Sequence, residues 1–301
     1  MTITEQIQSL KKKKNVVILA HNYQLKEIQD IADYVGDSLG LSIAAKNTSA
    51  EIILFCGVYF MAETAKIISP QKKVLIPDKK AGCPMADMIK PDQLKALKEK
   101  HPRAKVLTYV NSSAEIKALS DICCTSSNAP AIVENYFKPE DEIIFIPDKN
   151  LALHTARLTG RQFILWNGFC PTHIKIIPEY IHALKKEHPE AEVLVHPECL
   201  PDTIASADHA LSTDGMYKHV QKSNKSEFII GTEIGMLHRL QKDFQEKRFY
   251  PVTTLASCPN MKKTTLDKVL RSLEEDKEEV TVEASIASQA LHSIEKMLNC
   301  K

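Results

Sequence analysis

Val17-Ile18-Leu19-Ala20-His21-Asn22-Tyr23 is a short apolar run that ends in polar, hydrogen-bonding residues, and the chain contains it three times. The other copies are Lys105-Val106-Leu107-Thr108-Tyr109-Val110-Asn111 and Glu192-Val193-Leu194-Val195-His196-Pro197-Glu198. His21, Tyr109 and His196 are offset by 88 and then 87 positions, as are Tyr23, Asn111 and Glu198, and further on Ser38, Ser126 and Thr213. Self-similarity at a fixed period marks a repeated structural unit. Cysteine closes each copy: Cys83, Cys170 and Cys258 are spaced by 87 and 88, and each precedes proline, whereas none of the other five cysteines does.

Within the first copy, β-branched runs alternate with helical patterns. They predict a strand at 16–20, a helix at 25–35, a helix starting near Ser38, a strand at 52–56, a helix at 60–68 and a strand at 73–77. This is a small parallel α/β unit. The expected fold is therefore α/β, with three αβα units (1–84, 85–171 and 172–263) arranged around one axis. Amphipathic helices at 264–273 and 284–298 are expected to return to the first unit. Parallel sheets bind ligands beyond the carboxyl ends of their strands, where His21, Tyr109 and His196 fall, so three such edges would enclose one pocket.

Composition excludes several classes. In 301 residues, 39 basic and 38 acidic side chains leave a formal charge of +1, too little for a nucleic-acid or membrane field. The basic run Lys11 to Lys14 reads as a solvated helix end. No signal-peptide core and no apolar span of about 18 residues is present, which points to the cytoplasm. In a reducing compartment, eight cysteines are thiols or metal ligands rather than disulfides.

Three thiolates converging on an axis suit zinc or an iron-sulfur cluster. Structural zinc usually takes four ligands, often in Cys-x-x-Cys pairs, which this chain lacks. A cubane on three cysteines leaves one iron open as a Lewis acid. The bland alternative, small buried cysteines, suits Cys56, Cys123, Cys124, Cys199 and Cys300 better than the three Cys-Pro sites. Ser38, Ser126 and Thr213 also look like helix N-caps, and helix starts converging on one pocket would make an anion site.

Several motifs resemble the quinolinate synthase family: Ala20-His21-Asn22-Tyr23, Gly36-Asp37-Ser38, Gly82-Cys83-Pro84-Met85, Tyr109-Val110-Asn111, Thr125-Ser126-Ser127-Asn128, Gly168-Phe169-Cys170-Pro171-Thr172-His173, His196-Pro197-Glu198 and Cys258-Pro259-Asn260-Met261. The likeness runs in order from about residue 14 to 275. It implies condensation of iminoaspartate with dihydroxyacetone phosphate to quinolinate, phosphate and water, in NAD biosynthesis. It also implies a pseudo-threefold architecture around a [4Fe-4S] cluster held by Cys83, Cys170 and Cys258. Implied substrate contacts are His21, Ser38, Tyr109, Asn111, Ser126, His196, Glu198 and Thr213, with Tyr23 in proton transfer. An expected partner is the enzyme supplying iminoaspartate, L-aspartate oxidase or aspartate dehydrogenase. Longer members carry a Cys-x-x-Cys-x-x-Cys stretch at the third ligand; here Cys258 stands alone, as in the shorter ones.

Repeated proton transfers in that reaction suit histidine, carboxylate and tyrosine. Glu198 is the expected base, with Tyr23, His196 and Tyr109 joining the proton chemistry and His21 orienting substrate. Rival readings are an iron-sulfur hydro-lyase on a hydroxy acid and a non-catalytic redox or iron-sulfur sensor.

Overall fold

The computed structural model describes residues 1–300. The first unit runs α1 (Ile3–Lys13), β1 (Val16–His21), α2 (Lys26–Ile31), β2 (Tyr34–Gly36), α3 (Ser38–Asn47), β3 (Ile52–Cys56), α4 (Tyr59–Ile68) and β4 (Lys73–Leu75). The second runs α5 (Pro91–Lys100), β5 (Lys105–Tyr109), α6 (Ala114–Ala118), β6 (Ile122–Cys124), α7 (Ala129–Tyr136), β7 (Ile143–Ile146), α8 (Lys149–Thr159) and β8 (Ile164–Leu165). The third runs α9 (Pro178–Glu187), β9 (Glu192–Val195), α10 (Pro201–Ala205), β10 (His209–Ala210), α11 (Thr213–Lys222), β11 (Glu227–Gly231), α12 (Met236–Asp243) and β12 (Arg248–Pro251). Helices α13 (Leu266–Glu275) and α14 (Ala284–Asn299) follow.

Each unit forms a four-stranded, all-parallel sheet of identical topology, in the orders β2-β1-β3-β4, β6-β5-β7-β8 and β10-β9-β11-β12. Parallel strands are buried on both faces, and the period of two divides their side chains between two cores. Leu19, Leu107 and Leu194 enter one apolar core that spans all three units, while their neighbours Ile18, Val106 and Val193 fill a private core behind each sheet. Alternation along one strand thus both builds a unit and joins it to the others.

The repeat extends to an aspartate that the sequence comparison passed over. Asp33, Asp121 and Asp208 accept from the backbone N–H of Ile18, Val106 and Val193 at 2.8, 2.7 and 2.8 Å. Their own N–H groups donate back to the same three residues' carbonyls. This reciprocal clasp ends the helix after each central strand and turns the chain into the next strand. It corrects the expected helix at 25–35: α2 stops at Ile31 and residues 34–36 form β2.

The amino-terminal helix has a Thr2/Glu5 capping box and lysines in its last turn. The lysine run is not simply solvated, because Lys14 donates to the Leu273 carbonyl of α13 at 2.5 Å and pairs with Asp276 at 3.0 Å. Val269 and Leu273 of α13 share the private core with Ile7 of α1. Helix α14 departs from the expected return to the first unit: it lies mainly against α6 and β6, with a smaller contact to α4. Ser293 fixes it there by donating to the Lys117 carbonyl at 2.8 Å, and Ala290, Ile294 and Met297 enter the shared core. No helix among the described residues is long and apolar enough to cross a membrane.

Candidate active site and metal centre

His21 ends β1, Tyr109 ends β5, and His196 directly follows β9, so the three strand ends present these side chains to one another. A single central cavity is lined by all three, by Tyr23, Asn111 and Glu198 two residues further on, by Ser38, Ser126 and Thr213, and by Cys83, Cys170 and Cys258. All twelve residues singled out by the repeat meet there. His21 Nδ1 accepts from the Tyr23 N–H at 3.2 Å, and His196 Nδ1 accepts from the Glu198 N–H at 3.3 Å. A backbone N–H can only donate, so both rings carry their proton on Nε2. Burial lowers each imidazole to about 3, against a smaller opposing pull from Glu198, and both are neutral at physiological pH. The Oδ1 of Asn111 is buried without a hydrogen-bond partner, an acceptor left for a ligand that can donate.

Glu198 lies at the centre of a buried network. Tyr109 Oη donates to its Oε1 at 2.5 Å, and His173 Nδ1 lies 2.7 Å from its Oε2. The other face of His173 reaches Thr232 Oγ1 at 3.0 Å and Tyr23 Oη at 3.3 Å, and Tyr23 in turn contacts Thr232 at 2.6 Å. Burial alone would raise the Glu198 carboxyl, but His173 against its Oε2 and the Tyr109 hydroxyl on its Oε1 hold it well below the usual carboxylate range. Burial, and then the Glu198 charge, push both Tyr23 and Tyr109 upward, so the phenols keep their protons.

The helix starts correct one expectation. The caps are Asp37 for α3 and Ser212 for α11, which accept from Gly40 and Gly215 N–H at 2.8 and 3.1 Å. Ser38 and Thr213 are the first residues inside their helices, and Ser126 lies ahead of α7, whose N-cap is Asn128. None of the three hydroxyls is used as a cap. Ser126 Oγ instead meets His196 Nε2 at 3.3 Å, and Thr213 Oγ1 accepts from Asn22 Nδ2 at 2.7 Å.

Each pocket cysteine opens a tight turn, in which the carbonyls of Cys83, Cys170 and Cys258 accept from the N–H four residues on, at 3.2, 3.2 and 3.3 Å. Proline in second place has no N–H to lose there. Backbone N–H groups of Met85 and Ala86 point at the Cys83 sulfur, and those of Thr172 and His173 at the Cys170 sulfur. Such donors stabilise thiolate over thiol. Without a cation, burial dominates and pushes Cys83 up to about 12 and Cys170 well above the ordinary thiol range, with Cys258 adding to the first shift and Cys83 to the second. Cys83 and Cys170, two buried thiols that resist ionising in turns whose N–H groups favour a charged sulfur, share the cavity with Cys258, and the three fit a cationic group held among them. His173 Nδ1 lies 3.1 Å from Cys170 Sγ, so Cys170, His173 and Glu198 also form a compact group of metal-capable donors. Cys56, Cys123, Cys124 and Cys199 are buried away from the cavity.

The family model of the Quinolinate synthetase A protein matches residues 5–299. The chain belongs to this family. A quinolinate synthase of Thermodesulfovibrio yellowstonii is 50% identical over 98% of this chain and 97% of its own length. Quinolinate synthase 1 of Methanosarcina acetivorans is 49% identical over 99% and 98%. A quinolinate synthase of Dehalococcoides mccartyi is 50% identical over 98% and 97%.

In this member of the family, the sequence assigns no role to Thr232 or Glu233, and none to His173 beyond its place in the motif at 168–173. His173 stands three residues after its cysteine, where the other turns have Ala86 and Met261, so it has no counterpart in the repeat. Its adjacency to Cys170-Pro171 was the available signal. Glu233 is fully buried; its carboxylate accepts from the Cys258 N–H at 2.9 Å and pairs with Lys262 at 2.9 Å, which fastens the third cysteine turn to the end of β11.

Proposed function

We propose that this chain condenses iminoaspartate with dihydroxyacetone phosphate to give quinolinate, phosphate and water, the activity for which its relatives are named. We further propose that Cys83, Cys170 and Cys258 hold a [4Fe-4S] cluster and that the units divide at residues 84, 171 and 263. The observation that carries the reading is the meeting, in one buried cavity, of three Cys-Pro turns with the Glu198 network and the unpartnered Asn111 carbonyl. With three protein ligands, such a cluster supplies an open iron that acts as a Lewis acid.

The chain's own groups account for binding and proton traffic. Ser38, Ser126 and Thr213, at or before the starts of three helices, hold carboxylate and phosphate oxygens, where helix dipoles and backbone N–H groups favour anions. Neutral His21 donates its Nε2 proton to a substrate oxygen and orients it, and Asn111 Oδ1 receives a substrate N–H or O–H. Glu198 is the base. Its ionised form is ensured by His173 and Tyr109, and when substrate displaces either donor, burial raises the carboxyl's proton affinity. His173 bridges Glu198 to Tyr23, so a proton taken at Tyr23 Oη can pass across the imidazole to Glu198 Oε2. His196, whose Nε2 carries the free proton, exchanges it with substrate, and the Ser126 hydroxyl beside that nitrogen holds the ring in place. The test is an anaerobic assay with both substrates on protein carrying iron and sulfide. Quinolinate formation is expected, and its absence from fully loaded protein would overturn the reading.

A further inference from the structure

The third unit carries a second group of donor atoms at the end of β9 opposite His196, and none of its members lines the central cavity. Glu192 opens β9, His209 opens β10 and His219 lies on α11. One imidazole lies against each oxygen of the Glu192 carboxylate: His209 Nε2 is 3.0 Å from Oε1 and His219 Nε2 is 3.0 Å from Oε2. Ser223 Oγ donates to Oε2 at 3.1 Å and steadies the carboxylate.

A hydrogen bond accounts for one of the two contacts, His209 with Oε1, but not for the other. His219 Nε2 is buried and has no hydrogen-bond partner, although the carboxylate oxygen is so close; the two atoms face each other out of line for an N–H···O bond. The two imidazole rings are only 4.4 Å apart, centre to centre, so double protonation would set two cations together. An imidazole nitrogen held 3.0 Å from a carboxylate oxygen without a hydrogen bond between them is spaced as two donors to one cation are. Zinc accepts imidazole nitrogen and carboxylate oxygen at about 2.0–2.2 Å, which puts neighbouring donors of a tetrahedral ion about 3.3–3.6 Å apart. The two 3.0 Å spacings would open by a few tenths of an ångström to admit the ion.

We propose that Glu192, His209 and His219 form a zinc site, separate from the cysteine turns, that ties β9, β10 and α11 together. The donor set is nitrogen and oxygen where the central site offers sulfur, and the partly exposed His209 leaves the remaining coordination position to water. An ion bound only by the folded chain raises its stability by mass action.

The test is equilibrium dialysis of tag-free protein against Zn²⁺, in two backgrounds that remove the pocket thiols from competition: cluster-loaded chain kept anaerobic, and the Cys83→Ser/Cys170→Ser/Cys258→Ser triple variant. Both should retain one zinc per chain and melt at higher temperature when zinc is present. His219→Gln and Glu192→Gln, changes at the rim of the third unit, should each weaken zinc binding at least about 10-fold and abolish the zinc-dependent rise in melting temperature. Failure of both backgrounds to bind zinc, or zinc binding unchanged in both variants, would overturn the site. Quinolinate formation does not enter either readout, so the result is independent of the proposed activity.

Discussion

At the flank of its central strand each unit does the same thing, and at the pocket end each does something different. Asp33, Asp121 and Asp208 make identical two-way clasps to Ile18, Val106 and Val193. A few residues on, equivalent positions hold His21, Tyr109 and His196, then Tyr23, Asn111 and Glu198. The clasp solves a backbone problem that every copy shares, the capture of a strand N–H and the turn that follows, so one solution serves three times. On the proposed function the cavity binds an asymmetric ligand and moves protons in one direction, which calls for copies that differ. The three cysteines recur in every copy, as the proposed shared metal group would require.

This contrast predicts that damage at the pocket end removes turnover without unfolding, while damage to a clasp removes stability without touching chemistry. The largest effect is expected at the most divergent pocket position. Glu198→Gln keeps the side chain's size but cannot take a proton, and should retain folding and metal loading while forming quinolinate at least about 100-fold more slowly. Near-normal turnover would remove Glu198 as the base.

At the clasp, Asp33→Ala leaves the Ile18 N–H without its carboxylate, and denaturant unfolding should show a loss of about 1–3 kcal/mol. Turnover per folded molecule should stay at the wild-type value. Asp121→Ala and Asp208→Ala should fall in the same range, and a large drop in turnover from any of the three would blur the distinction between scaffold and site. The smallest effect is expected from Ser126→Ala, which removes one neutral hydrogen bond proposed to reach substrate and lies outside α7 and its N-cap position Asn128. KM should rise by roughly 2- to 10-fold, as befits about 0.5–1.5 kcal/mol, with kcat little changed. A collapse in kcat instead would place Ser126 in the proton path.

The same contrast explains what the sequence disclosed. Positions governed by the period were legible, since strand ends, cysteines and their i+2 partners recur at 87 or 88 residues. The three parallel sheets and the convergence of twelve residues on one cavity follow from that register. Elements with weak local signals were not. Strand β2 is three residues long and β10 two, too short for alternation to register, and α2 was extended through β2 because nothing in Ala32-Asp33 announces a clasp made with a strand fifteen residues back. His173 escaped because it is unique to one unit. The capping roles of Asp37 and Ser212 were assigned one residue too late, and that shift freed the Ser38 and Thr213 hydroxyls for the pocket.

The central claim is that three symmetry-related cysteines hold one group together, and iron and sulfide content measures it directly. Cys83→Ser, Cys170→Ser and Cys258→Ser, prepared anaerobically one at a time, should each lose stable cluster loading, because two protein anchors remain in every case. Cys56→Ser, in the private core of the first unit, should load as the wild type does. Full iron and sulfide in any one of the three pocket variants would contradict the claim.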